Sequence, residues 1–440
     1  MARKVFISIL GTGPYGECTY SDNERPVFTT RYIQLATLKY LVEKCTVENN
    51  PWTVNDVAII FLTSKAESDQ WNKGMARVAG QVKPVEKEGL KAESEKMDFP
   101  FVLTPKPIKD GKDTDEIWDI FDTIFNEIND GDELYFDITH AFRYLGMLLT
   151  VLINYSKFLK KVTVKSITYG NFMAETDSKP IMDLTSISVL QDWTYAAGTY
   201  LDSGNVTKLV ELKSIIKSDV LKKIVDKLET VIKERQTCRG LQIHNSESLS
   251  SLKSELSDFL ESKDVNPEDE PLHQILKKVD TSLEEFSVFP NFMNGFQAAK
   301  WCVKNGLFQQ AITMLRENFV TLFCERHGFD LMDKDMRLIV EIALNIQINH
   351  KQNRKDKWPI ELSDTQIVDI ESVLQDKWIM SVGKHNNELV HIYQEIRDYR
   401  NNFNHAGFNE NSPSPQEIEA KVNEFVERTI TCFYKLNNNQ

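Results

Sequence analysis

The stretch FDITHAFRYL, residues Phe136–Leu145, passes from a strand pattern to a helix pattern. Its first residues end the apolar, β-branched run ELYFDIT, which has the length expected for a buried strand. A helical pattern follows over Ala141–Lys160, and Thr139 is suited to the N-cap position because its hydroxyl can accept a hydrogen bond from a free backbone N–H group. A strand that leads directly into a helix predicts one unit of an α/β fold.

The same alternation extends through the N-terminal part of the chain. Four more short apolar runs predict strands, namely KVFISIL, DVAIIFLT, PFVLT and VTVKSITYG. Helical spacing predicts further helices over Thr30–Lys44, Ser64–Val78 and Thr114–Asn129. Because strands that alternate with helices form a mainly parallel, doubly wound sheet, we predict an α/β domain over residues 1–200.

The rest of the chain has a helical pattern. Residues 201–290 are charged, as in LVELKSIIKSDVLKKIVDKLETVIKERQ, and contain an acidic break at SKDVNPEDEP, so we predict a solvated helical connector there. Two amphipathic helices then meet at Asn305-Gly306, and two more helices follow. Residues 291–440 are therefore predicted to form an all-helical domain.

The composition is that of an ordinary globular protein, with 41% hydrophobic and 27% charged residues. We find no apolar run of the ~18 residues that a membrane span needs, and the N-terminal MARKVFISILGTG is too short in apolar residues for a signal peptide. The six cysteines lack the spacing of a metal site or a disulfide framework, which fits a reducing cytoplasm. A net charge of −13 argues against broad electrostatic adhesion to nucleic acid, so any such contact must be local.

In an open parallel sheet, ligands bind outside the carboxyl ends of the strands, and LGTGPYG follows the first strand. Gly11 and Gly13 let the backbone approach a phosphate closely, and Thr12 can donate its hydroxyl. Pro14 lies where a dinucleotide-binding helix would start, which argues against a dinucleotide site. A plain tight turn explains the glycines about as well.

Two more stretches lie at the same predicted rim. His140, Phe142 and Arg143 fall in the predicted first turn of a helix, where free backbone N–H groups attract anions. The alternative is that Phe142 belongs to the core and Arg143 is a solvated charge. Phe172, in TYGNF at the end of the fifth strand, can stack on a base, although core packing explains it almost equally well.

The segments GTGPY, FDITHAFRY, YGNF and MDLTSISVLQDW together resemble the nucleotide-sensing CARF domain of type III CRISPR ancillary proteins. The resemblance covers roughly residues 1–200 and implies a Rossmann-like domain that dimerises and binds a cyclic oligoadenylate across its two-fold axis. Tyr144-Leu145 stands where family members often carry a small residue and proline. The activator-binding residues that we expect are Gly11, Thr12, Gly13, Thr139, His140, Phe142, Arg143 and Phe172.

A second motif lies near the end of the chain, in RDYRNNFNHAGF, residues Arg397–Phe408. Its Arg-x4-His spacing is a weak signal by itself, since RGLQIH, residues Arg239–His244, has it too. However, Asn401 follows Arg400 directly, and a long amphipathic helix leads into the motif. These features resemble the HEPN ribonuclease motif, which is an arginine, a polar residue and then a histidine, and HEPN domains follow CARF domains in this order.

The chemistry of RNA cleavage fits these residue types. RNA carries its own nucleophile, the 2′-OH, so cleavage needs a proton acceptor and donor near neutral pH and a cation that faces the phosphate, but no metal. His405 has a suitable ordinary pKa, and Arg400 offers a forked set of donors. Asn401 can orient the phosphate or the histidine. Arg397, one turn before Arg400, can hold a neighbouring phosphate of the substrate.

Helical geometry constrains this site. Residues five apart on a regular helix point about 140° away from each other, which is poor geometry for one shared phosphate. Either the helix loosens near Asn404 or two copies of the chain face each other. The HEPN resemblance implies the second arrangement, a composite site at a dimer interface.

The function expected from the sequence is therefore a cyclic-oligoadenylate-activated endoribonuclease that cleaves single-stranded RNA, as a homodimer or a higher oligomer, without a cofactor, metal or membrane. The resemblance favours cyclic tetra-adenylate as activator, with cyclic hexa-adenylate second, and we expect no stable complex with the CRISPR effector. One alternative is a CARF-type transcriptional regulator, which would need a basic DNA-reading helix. The other is a non-catalytic helical scaffold that binds a partner through AAKWCVKNGLFQQAITML.

Overall fold

The strand formed by Lys4–Leu10 lies in the interior of the N-terminal sheet and is buried along its whole length. Alternate side chains enter opposite cores, so that Val5 and Ile7 lie in one cluster and Phe6 and Leu10 in the other. A parallel strand that is covered on both faces needs apolar residues at consecutive positions. The run KVFISIL, which is apolar except at Lys4 and Ser8, meets most of that need.

The computed structural model describes residues 2–22, 25–140, 144–214, 216, 218–262, 270–348, 358, 362–380, 388–404, 408 and 412–438. The chain forms two compact units, Met1–Val189 and Leu190–Gln440. The first is a Rossmann-like α/β unit and the second is helical, so the predicted fold class is confirmed.

Eleven strands are described in the N-terminal unit. In chain order they are β1 (Lys4–Leu10), β2 (Tyr15–Gly16), β3 (Cys18–Asp22), β4 (Arg25–Thr30), β5 (Val57–Leu62), β6 (Lys73–Arg77), β7 (Val85–Glu88), β8 (Leu103–Pro107), β9 (Glu133–Asp137), β10 (Thr163–Gly170) and β11 (Lys179–Asp183). An eight-stranded sheet has the order β4-β3-β11-β10-β9-β1-β5-β8, and β2-β6-β7 form a small second sheet. The strands β10, β9, β1, β5 and β8 are parallel to one another.

Helices cover both faces of the large sheet. The helices of this unit are α1 (Ile33–Val47), α2 (Ser64–Ala66), α3 (Leu90–Ser94), α4 (Thr114–Asn126) and α5 (Leu145–Lys160), with a π-helical turn over Glu67–Asn72. Helix α6 (Thr185–Ser203) begins in the first unit and continues into the second. Residues of α1 belong to one core cluster, and residues of α4 and α5 belong to the other. This is the doubly wound arrangement that strand–helix alternation predicts.

Two predicted elements differ from the structure. The helix predicted over Ser64–Val78 is wrong in its second half, because the chain passes through the π-helical turn into β6, which pairs with β7. At Gly74 a Cβ atom would lie 2.2 Å from the Glu88 carbonyl oxygen, so the close pairing of these strands requires glycine. The strand predicted at PFVLT lies three residues later, at β8, where Pro105 is tolerated on the edge of the sheet.

The second unit consists of helices in the part of the chain that the structure describes. They are α7 (Thr207–Glu211), α8 (Asp219–Gln236), α9 (Gly240–Asn245), α10 (Glu247–Glu261), α11 (Glu270–Thr281), α12 (Met293–Lys304), α13 (Phe308–Arg326), α14 (Lys334–Ile348), α15 (Asp364–Leu374), α16 (Glu388–Asn404) and α17 (Pro415–Asn438), with a 3₁₀ turn over Leu212–Ser214. The predicted pair of helices around Asn305-Gly306 is α12 and α13, and Gly306 has the positive φ of +72° expected at a helix end.

Helix α13 lies at the centre of this unit and packs against α12, α14, α16 and α17. The fully buried rings of Phe296, Phe319 and Tyr393 meet along it. Helices α8 and α9, from the predicted connector, also pack against α12. The domain boundaries predicted at residues 200 and 290 stay predictions. Within the described ranges, no helix has both the length and the apolar character needed to cross a membrane.

Candidate functional site

The candidate ligand site lies where the order of the parallel strands reverses. From β1 the chain moves to β5 on one side, whereas β9 pairs with β1 on the other side. In doubly wound sheets, ligands bind in the crevice beyond the carboxyl ends of the two strands at this switch point. Gly11 follows β1, and Thr139 and His140 follow β9. The fold therefore brings these predicted residues together.

A chain of hydrogen bonds joins the ends of β1, β9 and β10 at this point. The Ser8 hydroxyl donates to Oδ2 of the buried Asp137 carboxylate at 2.7 Å. Oδ1 of Asp137 accepts from the Thr139 hydroxyl at 2.5 Å and from the Thr139 N–H at 3.2 Å. The Thr139 hydroxyl oxygen accepts in turn from the Gly170 N–H at 2.8 Å. Neighbouring strand ends are thus fixed to one another through three side chains.

Thr139 is not a helix N-cap, contrary to the prediction. Helix α5 begins at Leu145, and Tyr144 occupies its N-cap position without a side-chain cap. The physical reason is that the Thr139 hydroxyl already serves Asp137 and Gly170, at the ends of strands. Thr139 therefore shapes the crevice, because its hydroxyl proton and its acceptor contact are both in use.

Asp137 and His140 influence each other's ionisation. Burial raises the pKa of the Asp137 carboxyl, while hydrogen bonds from Thr139 and Ser8 and the nearby His140 oppose the rise. Burial lowers the pKa of His140, and the Asp137 charge opposes that change. Because desolvation is the largest cause for both residues, the uncharged imidazole is favoured at neutral pH.

The loop after β1 approaches the turn after β9 closely. At Gly11 a Cβ atom would lie 2.7 Å from the Tyr15 hydroxyl oxygen and 3.5 Å from Cβ of His140, so only glycine fits without displacement. The Tyr15 ring lies against the His140 ring, with centroids 4.7 Å apart and planes inclined by 30°. Thr12 and Gly13 are exposed at the mouth of the crevice.

Phe172 lies at the same rim, just after β10. Its side chain is 48% exposed, so core packing does not account for it. Its ring edge would be 3.9 Å from a Cβ atom at Gly16, which places it beside the loop that follows β1. An exposed ring at the mouth of a crevice is a suitable surface for base stacking.

Three predicted site residues lie outside the described residues, namely Phe142, Arg143 and His405. The remaining residues of the second motif are on α16. Arg400 and Asn401 lie three and four positions after Arg397 and so share one side of the helix with it. The other side of α16 packs on α17, through the ring of Tyr399 against Phe425.

The two arginines of α16 differ in their contacts. The Arg397 guanidinium donates to Asp398 at 2.8 Å and to Asn345 of α14. Arg400 is partly buried, and its buried Nε has no hydrogen-bond partner among the described residues. Asn401, next to it, is exposed. The last turn of α16 therefore presents a guanidinium and an amide, and within the described part of the chain the guanidinium forms no ion pair with a carboxylate.

The second Arg-x4-His pair, Arg239–His244, has a structural role. His244 is 7% exposed, and its Nε2 lies 2.7 Å from Oε2 of Glu325 on α13, so it connects α9 to α13. The Arg239 guanidinium donates to the nearby Thr237 hydroxyl at 3.3 Å. Over the ranges that the structure covers, no group of three or more His, Cys, Asp or Glu side chains is arranged to hold a metal ion.

Sequence reasoning missed several residues at the crevice. Ser8 is the single polar residue inside KVFISIL, and that interruption of an apolar strand was the available signal. Tyr15 lies in LGTGPYG, the segment after the first strand, and its ring packs against the ring of His140. Gln34 and Gln70 reach the loop from distant helical turns, and no local pattern marks them.

Comparison with known proteins agrees with the CARF resemblance of the first unit. Residues 5–172 match the family model described as "CRISPR system endoribonuclease Csx1, CARF domain". The CRISPR-associated protein MJ1674 of Methanocaldococcus jannaschii is 29% identical over 255 residues, which are 56% of this chain. The chain spans 38% of that protein's length. The resemblance of the N-terminal part to CARF domains is confirmed.

A solved structure, Enterococcus italicus Csm6 bound to cyclic hexa-2′-fluoro-hexa-dAMP, is also similar. The alignment covers 100% of this chain and 95% of the other, with 12% identity and a TM-score of 0.46. A similarity at this level is too weak to carry an argument about this chain.

We predict that Thr139→Val lowers the stability of the N-terminal unit. The valine has nearly the same shape but leaves the Gly170 N–H and the Asp137 carboxylate each short of one partner, which costs about 1–3 kcal/mol. Thermal unfolding followed by circular dichroism should show a midpoint lower by roughly 3–10 °C. Thr139→Ser, which keeps the hydroxyl, should recover most of the loss. Equal midpoints for the valine variant and the wild type would contradict the proposed link between strands.

Proposed function

We propose that the chain is a cyclic-oligoadenylate-activated endoribonuclease, on the premise that residues 5–172 match the CARF domain of a CRISPR system endoribonuclease. It cleaves single-stranded RNA without a metal ion, as a homodimer, in antiviral defence. The observation that carries the proposal is the crevice at the β1/β9 switch point, which is walled by residues suited to phosphates and bases. The activity itself is assigned to the second unit.

The walls of the crevice match the chemistry of an oligoadenylate. Its phosphates are anionic, and the backbone around Gly11–Gly13 with the Thr12 hydroxyl offers small, close donors. The neutral His140 ring can donate or accept a hydrogen bond, and the exposed Phe172 ring can stack on adenine. Arg143 supplies the cation in this proposal.

A cyclic ligand fits a two-fold axis. Two identical rims that face one ring suit an even number of nucleotides, since each half of the ring then meets the same surface. We favour cyclic tetra-adenylate, with cyclic hexa-adenylate as the second candidate.

The nuclease activity is assigned to the end of α16. Arg400 lacks a carboxylate partner within the described residues and so remains available for a phosphate oxygen. His405 transfers the proton, first from the 2′-OH and then to the leaving oxygen, and Asn401 orients one of these groups. Arg397 holds a neighbouring phosphate and would exchange its bond to Asn345 for that contact.

Helix α5 supports the proposed homodimer. Five apolar side chains form an exposed stripe along it: Met147, Val151, Tyr155, Phe158 and Leu159. Met147 is 78% exposed and Phe158 is 71% exposed, which is costly for side chains of this size unless another surface covers them. A second copy of this chain is the occupant we propose, because a two-fold ligand and a composite nuclease site both require one.

The proposal predicts RNA cleavage that depends on a cyclic oligoadenylate and persists in excess EDTA. The test is to incubate the purified protein with labelled single-stranded RNA and with each of several cyclic oligoadenylates in turn, and to analyse the product ends. We expect 2′,3′-cyclic phosphate ends and resistance of 2′-deoxy substrates, because the 2′-OH is the nucleophile. A non-catalytic scaffold would give no cleavage with any activator, and a transcriptional regulator would bind duplex DNA instead.

We predict that His405→Ala lowers the cleavage rate by about 10²–10⁴-fold and leaves activator binding intact, because the histidine transfers protons. The matched control is His244→Gln, in the motif of identical spacing. It should lower the thermal midpoint by removing the contact with Glu325, with the rate per folded protein unchanged. Similar losses of rate in both variants would mean that His405 has no special role.

The homodimer predicts a strong effect of charge in the α5 stripe. Phe158→Asp should weaken dimerisation by at least ~10–100-fold, since burying an unpaired carboxylate opposes association, and activated cleavage should fall with it. Sedimentation equilibrium measures the change. Val102→Asp, at an equally exposed apolar residue outside the stripe, is the control. An unchanged dimer in Phe158→Asp would exclude this face as the interface.

A further inference from the structure

Gln70 contacts the loop of residues 11–14, called the ligand loop below, from the interior of the N-terminal unit. Its side chain is fully buried in the π-helical turn Glu67–Asn72. Its Nε2 donates to the Gly13 carbonyl oxygen at 2.6 Å and to the Met75 carbonyl oxygen at 3.0 Å. One amide thus connects the loop to β6, whose partner strand β2 starts just after the loop.

The orientation of this amide is determined by its partners. Both partners of Nε2 are backbone carbonyls, which only accept hydrogen bonds. The Tyr32 hydroxyl lies 3.3 Å from Oε1 of Gln70 and 3.1 Å from the Gln70 carbonyl oxygen, and it can donate to either. Both Nε2 protons are therefore used, and the tyrosine keeps the amide oxygen on the opposite side.

The hydrogen bond from Gln70 to the Gly13 carbonyl oxygen matters because Pro14 follows Gly13. Proline has no N–H, so the carbonyl oxygen is the only hydrogen-bonding group of the Gly13–Pro14 peptide. If that oxygen faced the crevice, its partial negative charge would oppose a phosphate. The bond to Gln70 turns it to the interior instead.

Two backbone N–H groups of the same loop have no hydrogen-bond acceptor among the described residues. The N–H groups of Thr12 and Gly13 donate no hydrogen bond to any residue that the structure describes. At the start of the loop, a second buried glutamine, Gln34, donates from Nε2 to the Ile9 carbonyl oxygen at 3.2 Å. Two carbonyl oxygens that flank the loop are thus bound to interior amides, while its N–H groups remain available.

We propose that Gln70 is a positioning residue for the ligand loop, which holds the Gly13 carbonyl away from the crevice so that this oxygen does not oppose an anionic ligand at the open N–H groups of Thr12 and Gly13. This role rests on the proposed function, since the ligand is the cyclic oligoadenylate. A glutamine that merely filled the core would stabilise the unit without changing affinity for an anion.

The test uses Gln70→Met in the full-length protein, since methionine keeps the length of the side chain and removes both donors. We expect the dissociation constant for cyclic tetra-adenylate or cyclic hexa-adenylate, whichever the wild type binds more tightly, to rise by about 10-fold, in line with the loss of a buried hydrogen bond. The activator concentration for half-maximal RNA cleavage should rise equally, and the rate at saturation should stay unchanged. Calorimetry and cleavage assays measure the two.

The matched control is Gln297→Met, which removes a buried glutamine from α12 in the other unit. It should leave the dissociation constant within about twofold of wild type, even where its thermal midpoint falls as much. If Gln70→Met does not fold, Tyr32→Phe replaces it, because that variant removes only the hydroxyl that contacts the amide; a rise of about 3-fold is then expected.

The outcomes separate this role from the proposed function. A wild-type protein that binds no cyclic oligoadenylate removes both. A wild type that binds, beside a folded Gln70→Met variant of equal affinity, removes only the positioning role and leaves the proposed function standing. A weaker affinity with a lower rate at saturation would likewise contradict positioning, because the loss would extend beyond the ligand loop.

Discussion

The buried carboxyl group of Asp137 is the point on which the geometry of the crevice depends. It occupies the last paired position of β9, opposite Ser8 of β1, where the ladder between the two strands ends. A carboxylate there loses its hydration and is tolerated only because side-chain and backbone donors surround it. The same donors tie β1, β9 and β10 together, so the loops after these strands start from fixed positions.

The electrostatics of the crevice follow from that arrangement. Burial favours an uncharged His140, so this ring contributes hydrogen bonds rather than a positive charge. If the crevice binds an anion, as we propose, the open N–H groups and the predicted site residue Arg143 supply the attraction. This source of attraction explains why the direction of the loop carbonyls matters: with few full charges present, the orientation of a peptide dipole decides the sign of the local field.

The sequence predicts those parts of the fold that depend on local pattern. The central strands β1 and β5 are mostly apolar on both faces, and such runs are recognisable without their neighbours. The small sheet β2-β6-β7 was missed because its strands are short and half polar, and they exist only through pairing with one another. The polar second half of Ser64–Val78 has acceptable helical spacing, yet Gly74 and the pairing of β6 with β7 override it.

At the candidate site too, local pattern predicts some residues, and others depend on long-range contacts. Gly11, Thr139 and His140 are predictable because they follow strands, and strand ends meet at one rim. Gln70 is not predictable, since its role depends on a π-helical turn and on a contact 57 residues away in sequence. Long-range hydrogen bonds leave no local pattern, and they fix the conformation of the loop.

Partners, more than spacing, separate functional from structural residues in the second unit. The Arg239–His244 pair repeats the Arg-x4-His spacing, but its histidine is buried against Glu325. Arg235 is a closer comparison for Arg400, because Nη1 of Arg235 lacks a hydrogen-bond partner within the described residues. However, the Arg235 guanidinium lies 3.8 Å from the centre of the Phe286 ring, which stabilises the cation.

Among the described residues, Arg400 has neither compensation. The negative end of the α16 dipole favours a cation in the last turn, but a dipole supplies no acceptor for the buried Nε. Folding usually leaves few buried donors unsatisfied, because each one costs free energy. A guanidinium held in this state lowers stability, and under the function proposed above a phosphate oxygen of the RNA would be the missing acceptor.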